Sequence, residues 1–181
     1  LPSALGAISR LTSLVATDLL LIHMLLVARV PWIDKFYGHD KATLAHKKLG
    51  KPVLYFVVAH FVASLIGFSI TEGKSLIETW WWFITDVQDM LTATLALLLM
   101  ILVVVTSLNF ARRKMSYEAW FLVHLMSYAA VLLAVPHIFT TGSDIAGKPV
   151  QTAYWAALYI FVGANLIWYR AWQPLAASLR R

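Results

Sequence analysis

Apolar residues along this chain gather into five long runs that short polar segments separate. The runs cover roughly Leu11–Val30, Pro52–Ile70, Met90–Leu108, Ala119–Phe139 and Ala153–Tyr169. Each is close to the ~20 residues that an α-helix needs to cross ~30 Å of hydrocarbon. No strand-like alternation competes with them, and backbone groups in lipid must find their hydrogen bonds within their own segment. The pattern therefore predicts an all-α transmembrane bundle with five spans, in one domain covering residues 1–181.

Composition agrees with a membrane protein and narrows the chemistry. Hydrophobic residues make up 60% of the chain and charged residues 13%, whereas soluble domains have about 25% charged residues. The chain has no cysteine, which excludes disulfides, thiolate-bound iron–sulfur clusters and covalently attached c-type haem. Any metal must be held by His, Met, Tyr or carboxylate groups.

Lys and Arg residues are distributed unevenly between the two ends of the predicted bundle. Only Arg10, Lys74 and Lys148 lie at one end. The other end carries Arg29, Lys35, Lys41, Lys47, Lys48, Lys51, Arg112, Arg113, Lys114, Arg170, Arg180 and Arg181. The positive-inside rule makes that basic end cytoplasmic, with the C-terminus inside. This topology and contact with membrane lipid account for the net charge of +6, so we expect no nucleic-acid partner.

The first residue is Leu, and no cleaved signal peptide is recognisable, so we also expect a segment upstream.

Histidines occur as a spaced pair in each of two runs. His46 and His60 lie along the second run, and His124 and His137 along the fourth. These two helices are parallel because one span lies between them, so the four imidazoles should form two facing pairs at two depths. Fourteen residues leave His46 and His60 within ~40° of one helix face. Thirteen residues turn His124 and His137 ~140° apart, unless Pro136 bends the helix.

Imidazole is a common axial ligand of haem iron, and polar groups inside a membrane are costly and usually functional. A histidine from each of two helices can hold a haem between them. The pattern therefore predicts two stacked b-type haems and an electron path across the membrane.

A single histidine, His23, is interpreted as a satisfied histidine of the bundle. The segment "IETWWWFITDVQDM" is interpreted as an interfacial aromatic belt, with a lid over an outer site as the alternative.

The two histidine helices resemble a known family. "AHKKLGKPVLYFVVAH" and "ARRKMSYEAWFLVHLMSYAAVLLAVPHIF" look like the two haem-binding helices of ferric reductases and NADPH oxidases. The resemblance extends from about Leu5 to Arg181. That family has a six-helix bundle, so the resemblance implies that this chain lacks the first helix.

The resemblance also implies roles for individual residues. His46 and His124 would bind the iron of the inner haem, and His60 and His137 that of the outer haem. Arg10 matches an arginine near the outer haem and the acceptor, and it is the catalytic candidate.

Four further residues bear on the resemblance. Arg29 resembles the basic residue at the inner end of the same helix, and it is a second candidate for cofactor binding. The other three depart from the oxidases. Ser64 stands where they have a further histidine, and Ala130 and Val131 stand where they have an aromatic residue between the haems.

The function implied is an oxidoreductase that passes electrons outward through two haem b groups. The donor would be a cytosolic FAD and NAD(P)H module, which must follow Arg181 or be a separate partner, because no glycine-rich dinucleotide motif is present. The acceptor would be a ferric chelate or oxygen outside the cell (plasma or inner) membrane. One alternative is a quinol-linked respiratory cytochrome b subunit. Another is a haem-free bundle that serves as an anchor or a transporter subunit.

Overall fold

The computed structural model describes residues 2–180, so predictions that involve Leu1 and Arg181 lie outside it. Within that range the chain is helical and forms no strand. The elements are α1 (Pro2–Leu25), α2 (Pro31–Phe36), α3 (His39–Glu72), α4 (Leu76–Asp86), α5 (Met90–Ser107), α6 (Asn109–Arg112), α7 (Tyr117–Thr140), α8 (Pro149–Asn165), a π-helical segment (Leu166–Trp172) and α9 (Gln173–Leu179).

Five of these helical stretches are long and apolar enough to cross a membrane, as predicted. They are α1, α3, α5, α7 and the continuous stretch Pro149–Leu179. The boundaries differ clearly from the apolar runs at three helices. The last stretch, Pro149–Leu179, extends beyond Ala153–Tyr169 at both ends. α1 begins and ends earlier than Leu11–Val30, and α3 begins at His39 and continues through Pro52. Apolar runs mark contact with lipid, whereas helix ends depend on backbone hydrogen bonds, of which Pro52 removes only one. His46 consequently lies within α3.

The outer surface of the bundle suits contact with lipid. On α5 an exposed apolar stripe recurs every three or four residues, at Leu91, Leu95, Leu98, Leu102 and Val105. The buried positions, by contrast, are often small. They include Ala16, Ala28, Ala42, Ala63, Ala96 and Ala130. Small residues let helix backbones approach closely, which is how helices associate where lipid removes the hydrophobic driving force.

The spanning helices form two close pairs. α1 packs along most of α3, and α5 packs along α7, whereas the backbones of α3 and α7 have few or no close approaches to each other. The two helices that carry the histidine pairs are therefore separated by a gap. Side chains, not backbone, define the space between them.

Helix α4 covers one end of this gap. Its N-terminus is a capping box in which Ser75 accepts from the Glu78 amide and Glu78 accepts from the Ser75 amide. Trp82 and Phe83 face the gap beside Phe68, whereas Trp80 and Trp81 are exposed. The tryptophan segment thus combines the two interpretations from the sequence, since one side faces outward and the other closes the gap.

The capping box also fixes how α4 responds to acid. Hydrogen bonds from Ser75 hold the pKa of the Glu78 carboxyl below its ordinary value of 4.5. The contribution of Glu78 to the cap is therefore present at neutral pH and is lost as the pH falls through that lowered pKa.

We predict that Ser75→Ala loosens α4 selectively. Loss of an N-cap costs about 1 kcal/mol of helix stability, which corresponds to about fivefold faster amide exchange where exchange proceeds through local opening. Hydrogen–deuterium exchange of the peptide that spans α4 measures this effect, with α5 as the internal reference. Ser75→Thr, which keeps a capping hydroxyl, should exchange much like the wild type. Equal exchange in Ser75→Ala and wild type would contradict the prediction.

Candidate functional site

The structure brings the four histidines of α3 and α7 together as two pairs across the gap. The ring centroids of His46 and His124 are 6.0 Å apart, and those of His60 and His137 are 6.4 Å apart. Along each helix the two pairs are separated by about 20 Å, from the helical rise per residue. The expected pairing at two depths is therefore present. The ~140° turn between His124 and His137 does not prevent both rings from facing α3.

The histidines of α3 are anchored to carbonyl groups of α1. His46 Nδ1 lies 2.9 Å from the His23 carbonyl oxygen, and His60 Nδ1 lies 2.9 Å from that of Ser9. The same fourteen-residue interval separates the two carbonyls and the two histidines, because α1 and α3 run antiparallel in contact. The His23 carbonyl belongs to the last turn of α1, where helices have no internal partner for their carbonyls.

The histidines of α7 are anchored to hydroxyl groups instead. His124 Nδ1 lies 3.3 Å from Ser107 Oγ, and His137 Nδ1 lies 2.7 Å from Thr141 Oγ1. Each hydroxyl also donates its hydrogen to a main-chain carbonyl, Ser107 to Val103 and Thr141 to His137 itself. A hydroxyl has one hydrogen to donate, so with that hydrogen on the carbonyl each oxygen accepts from its imidazole.

The carbonyl contacts determine the tautomer of two rings. A carbonyl oxygen can only accept, so in neutral His46 and His60 the hydrogen is on Nδ1. The same tautomer in His124 and His137 satisfies their hydroxyl partners, which then donate to the main chain. Nε2 then carries the free lone pair. A hydrogen bond from one ring nitrogen to a protein group is the usual arrangement of a histidine that binds metal through the other nitrogen.

The ring spacing also suits a shared metal ion. An imidazole nitrogen lies about 2 Å from a bound metal and about 1 Å from the centre of its own ring, so two imidazoles on opposite sides of one ion have centroids about 6 Å apart. Both observed spacings agree with this value. Each pair can therefore hold one metal centre between α3 and α7.

A cavity of about 470 Å³ surrounds the His60–His137 pair, within the size range of ligand pockets. Ala130 and Val131 line it, and their small side chains leave room where the resembling oxidases have an aromatic residue. Tyr159 also lines it, and its hydroxyl is buried without a hydrogen-bond partner among the described residues. A buried polar group of this kind normally has a partner, so the tyrosine indicates a bound polar group.

The His46–His124 pair lies among aromatic rings. The ring of His23 stacks on His46 with centroids 3.7 Å apart, and Trp120 stacks on His124 at 4.9 Å. His23 Nδ1 is buried and has no partner among residues 2–180. The prediction of a satisfied bundle histidine is therefore wrong. Its reason lies in the register of α1 against α3, which places this ring against the ligand candidate instead of a hydrogen-bond acceptor.

The two arginine candidates lie at opposite ends of the bundle. Arg10 lines the cavity of the His60–His137 pair, and its Nε is 3.6 Å from a carboxylate oxygen of Asp144. Lys148 pairs with the same carboxylate at 3.4 Å. Arg29 lies in the turn after α1 and lines a separate cavity at the basic end. The structure thus places Arg10 beside one histidine pair, and it does not bring Arg29 into that cavity.

Comparison with known proteins gives one match. The family model of the ferric reductase-like transmembrane component covers residues 12–135, more than half of the chain. The chain belongs to the ferric reductase-like transmembrane family. This confirms the resemblance seen in the sequence and indicates a membrane component of oxidoreductase type, suited to transmembrane electron transfer. No curated protein and no solved structure gives a significant match.

The residues that orient the imidazoles in this ferric reductase-like chain were not predicted from the sequence. Ser9, Ser107 and Thr141 were not candidates, because hydroxyl residues are common in membrane helices and back-bond to their own helix. One pattern was available, since Ser9 and His23 repeat the interval of His46 and His60. Ser64, noted only as a departure from the oxidases, is 2.6 Å from Ser9 Oγ and extends the hydrogen bonding around His60.

We predict that Ser9→Ala destabilises the bundle by about 1 kcal/mol, because it removes the hydroxyl shared by His60 and Ser64 in a buried position. Unfolding in mixed detergent micelles measures the change. Ser13→Ala is the matched control, since Ser13 loses only a bond to a carbonyl of its own helix, and it should lie within about 0.5 kcal/mol of wild type. Equal stability of the two variants would contradict the role of Ser9.

Proposed function

We propose that this chain carries electrons across the membrane through two b-type haems, each held by one histidine of α3 and one of α7. His46 and His124 hold the inner haem, and His60 and His137 hold the outer haem. The single observation that carries the proposal is that all four Nδ1 atoms have hydrogen-bond partners while the rings of each pair meet across the gap, with centroids 6.0 and 6.4 Å apart.

Other features of the chain fit the same group. The 470 Å³ cavity is mainly apolar, as a porphyrin requires, and it contains the unpartnered Tyr159 hydroxyl. The unpartnered His23 nitrogen lies beside the other pair. Each predicted haem site therefore includes one buried polar atom that lacks a protein partner. Both orphaned atoms are accounted for if a polar cofactor is bound nearby.

The residues of the chain have three tasks in this proposal. The imidazoles bind, and their Nδ1 bonds prevent the rings from turning. Apolar side chains exclude water from the gap, and α4 closes one end. The haems, when bound, accept and release single electrons. If two imidazoles held each iron, an acceptor would have no coordination position, so we place its contact at the outer surface near Arg10.

The charge distribution supports the direction of transfer. We infer that the basic end is cytoplasmic, in a plasma or inner membrane, by the positive-inside rule. An inside-negative membrane potential then assists outward electron movement by about 2.3 kcal/mol per charge per 100 mV crossed. The donor is an FAD and NAD(P)H module on the cytosolic side, fused or separate, and the acceptor is a ferric chelate or oxygen.

Haem counts on purified variants test the ligand assignment. Wild-type protein should hold two haem b per chain, and the double variant His60→Ala, His137→Ala should hold one. His39→Ala is the control, because His39 lies outside both pairs and contacts Asp34 on the surface; it should keep two. A wild type without haem, or a double variant that keeps both, would contradict the proposal.

Vesicles test the transfer itself. Proteoliposomes that enclose a ferric chelate should reduce it when a membrane-impermeant reductant is added outside, and the double variant should lose most of this rate. If quinol supports the reduction and a quinone-site inhibitor abolishes it, the cytochrome b alternative is favoured instead. Equal rates in wild-type, variant and protein-free vesicles would contradict transmembrane electron transfer.

We predict that Tyr159→Phe separates stability from cofactor binding. Its hydroxyl has no partner among residues 2–180, so the variant without haem should unfold within about 0.5 kcal/mol of wild type. With haem bound, the variant loses a hydrogen bond to the cofactor that contributes about 1 kcal/mol, so haem release should be about fivefold faster. Transfer of haem to apomyoglobin measures the release rate. Tyr154→Phe, at an exposed position, should release haem at the wild-type rate.

A further inference from the structure

A second cavity, of about 300 Å³, lies at the basic end of the bundle. It is lined by two arginines, two tyrosines and three apolar residues. They are Arg29, Arg170, Tyr128, Tyr169, Phe121, Leu125 and Pro174. Three elements contribute to it: the turn after α1, the first half of α7, and the π-helical segment with the start of α9.

Neither arginine has a carboxylate partner among the described residues. Arg170 Nη1 donates to the Val27 carbonyl at 3.3 Å, which holds the guanidinium against the turn that carries Arg29. The two guanidinium groups repel each other within one cavity, and both still have N–H groups that can donate to a hydrogen-bond acceptor. The chemistry of the cavity is therefore that of an anion site, with carboxylate or phosphate as the group that guanidinium recognises best.

The cavity adjoins the His46–His124 pair. Phe121 and Tyr128 lie three and four residues from His124 on the same side of α7, and Leu125 lies on the adjacent side. The charge of Arg170 lies close enough to act on both His46 and His124. An anion in the cavity would therefore belong to the immediate surroundings of this histidine pair.

The backbone around both arginines departs from regular helix. Arg170 lies in the π-helical segment Leu166–Trp172, and such segments are rare and frequent at functional sites. Arg29 has a φ of 59°, in the left-handed region that non-glycine residues seldom adopt. Two unusual conformations that meet at one cavity indicate that the placement of these side chains is maintained against a local cost.

We propose that Arg29 and Arg170 together bind the two carboxylates of the cofactor held by His46 and His124. A b-type haem carries two propionates on one edge, which matches two guanidinium groups at one side of the pair. Arg29 was a candidate from the sequence, whereas Arg170 was assigned only to the basic end. The inference rests on the proposed function, and it adds the direction in which the inner haem would present its carboxylate edge, toward the turn after α1 and the π-helical segment.

The test is a potentiometric titration of Arg170→Gln, Arg170→Lys and Arg180→Gln in nanodiscs of uncharged phosphatidylcholine. Loss of a cation beside the carboxylates disfavours the added electron. In Arg170→Gln we expect one haem to become about tenfold harder to reduce, which is about 59 mV for a one-electron couple, while the other haem stays unchanged. Arg170→Lys should shift the same haem less. Arg180→Gln removes an equal charge from the exposed C-terminal segment and should shift neither.

Several results would overturn the proposal. These are two intact haems with no shift in Arg170→Gln, an equal shift of both haems, or a shift as large in Arg180→Gln. A shift that appears only in nanodiscs of anionic phosphatidylglycerol would assign the cavity to a lipid phosphate instead. Loss of both haems in Arg170→Gln and in Arg170→Lys would mark Arg170 as a residue of the fold.

Haem content separates this inference from the proposed function. Loss of only the inner haem in Arg170→Gln would support the carboxylate site. A wild type that binds no haem contradicts the proposed function itself. Two bound haems whose reduction potentials do not change when Arg170 is substituted contradict only the assignment of the arginines.

Discussion

Four hydrogen bonds from imidazole Nδ1 atoms determine what the space between α3 and α7 can hold. Each of them holds an imidazole ring in one orientation. In a hydrophobic gap such a ring would otherwise seek any available partner, since an unsatisfied polar group in lipid is costly. Because Nδ1 is already bonded, Nε2 is left for a ligand.

The helix pairing follows from the same requirement. α1 lies against α3 and supplies the carbonyls, and the end of α5 lies against α7 and supplies the Ser107 hydroxyl. The two pairs can then stand apart while all four Nδ1 atoms keep partners, and the gap between them stays mainly apolar. Apart from Asp18 within α1, charge lies toward the ends, with Arg10 and Asp144 at one and Arg29 and Arg170 at the other. A bundle of this kind separates an insulated interior from two polar faces, which is the arrangement that vectorial electron transfer requires.

Much of this architecture could be predicted because it depends on local properties of the chain. Apolar length indicates five spans, and histidine spacing with helix order indicates two pairs at two depths. The rest depends on how helices pack. Nothing local in the sequence shows that Ser9 and His23 contact α3, because the register of two antiparallel helices is set by the fit of Ala and Gly positions along both. Arg170 was equally hidden, since its position depends on a π-helical segment.

The central claim is that two imidazoles, bonded through Nε2, hold each of two haems. Electron paramagnetic resonance of the oxidised purified protein tests it most directly, because two nitrogen ligands on the axis of ferric haem give a low-spin centre, whereas one missing ligand gives a high-spin centre. We expect the spectrum to show two low-spin ferric haems and no high-spin signal. A high-spin signal from either haem in the intact protein, or one low-spin centre alone, would contradict it.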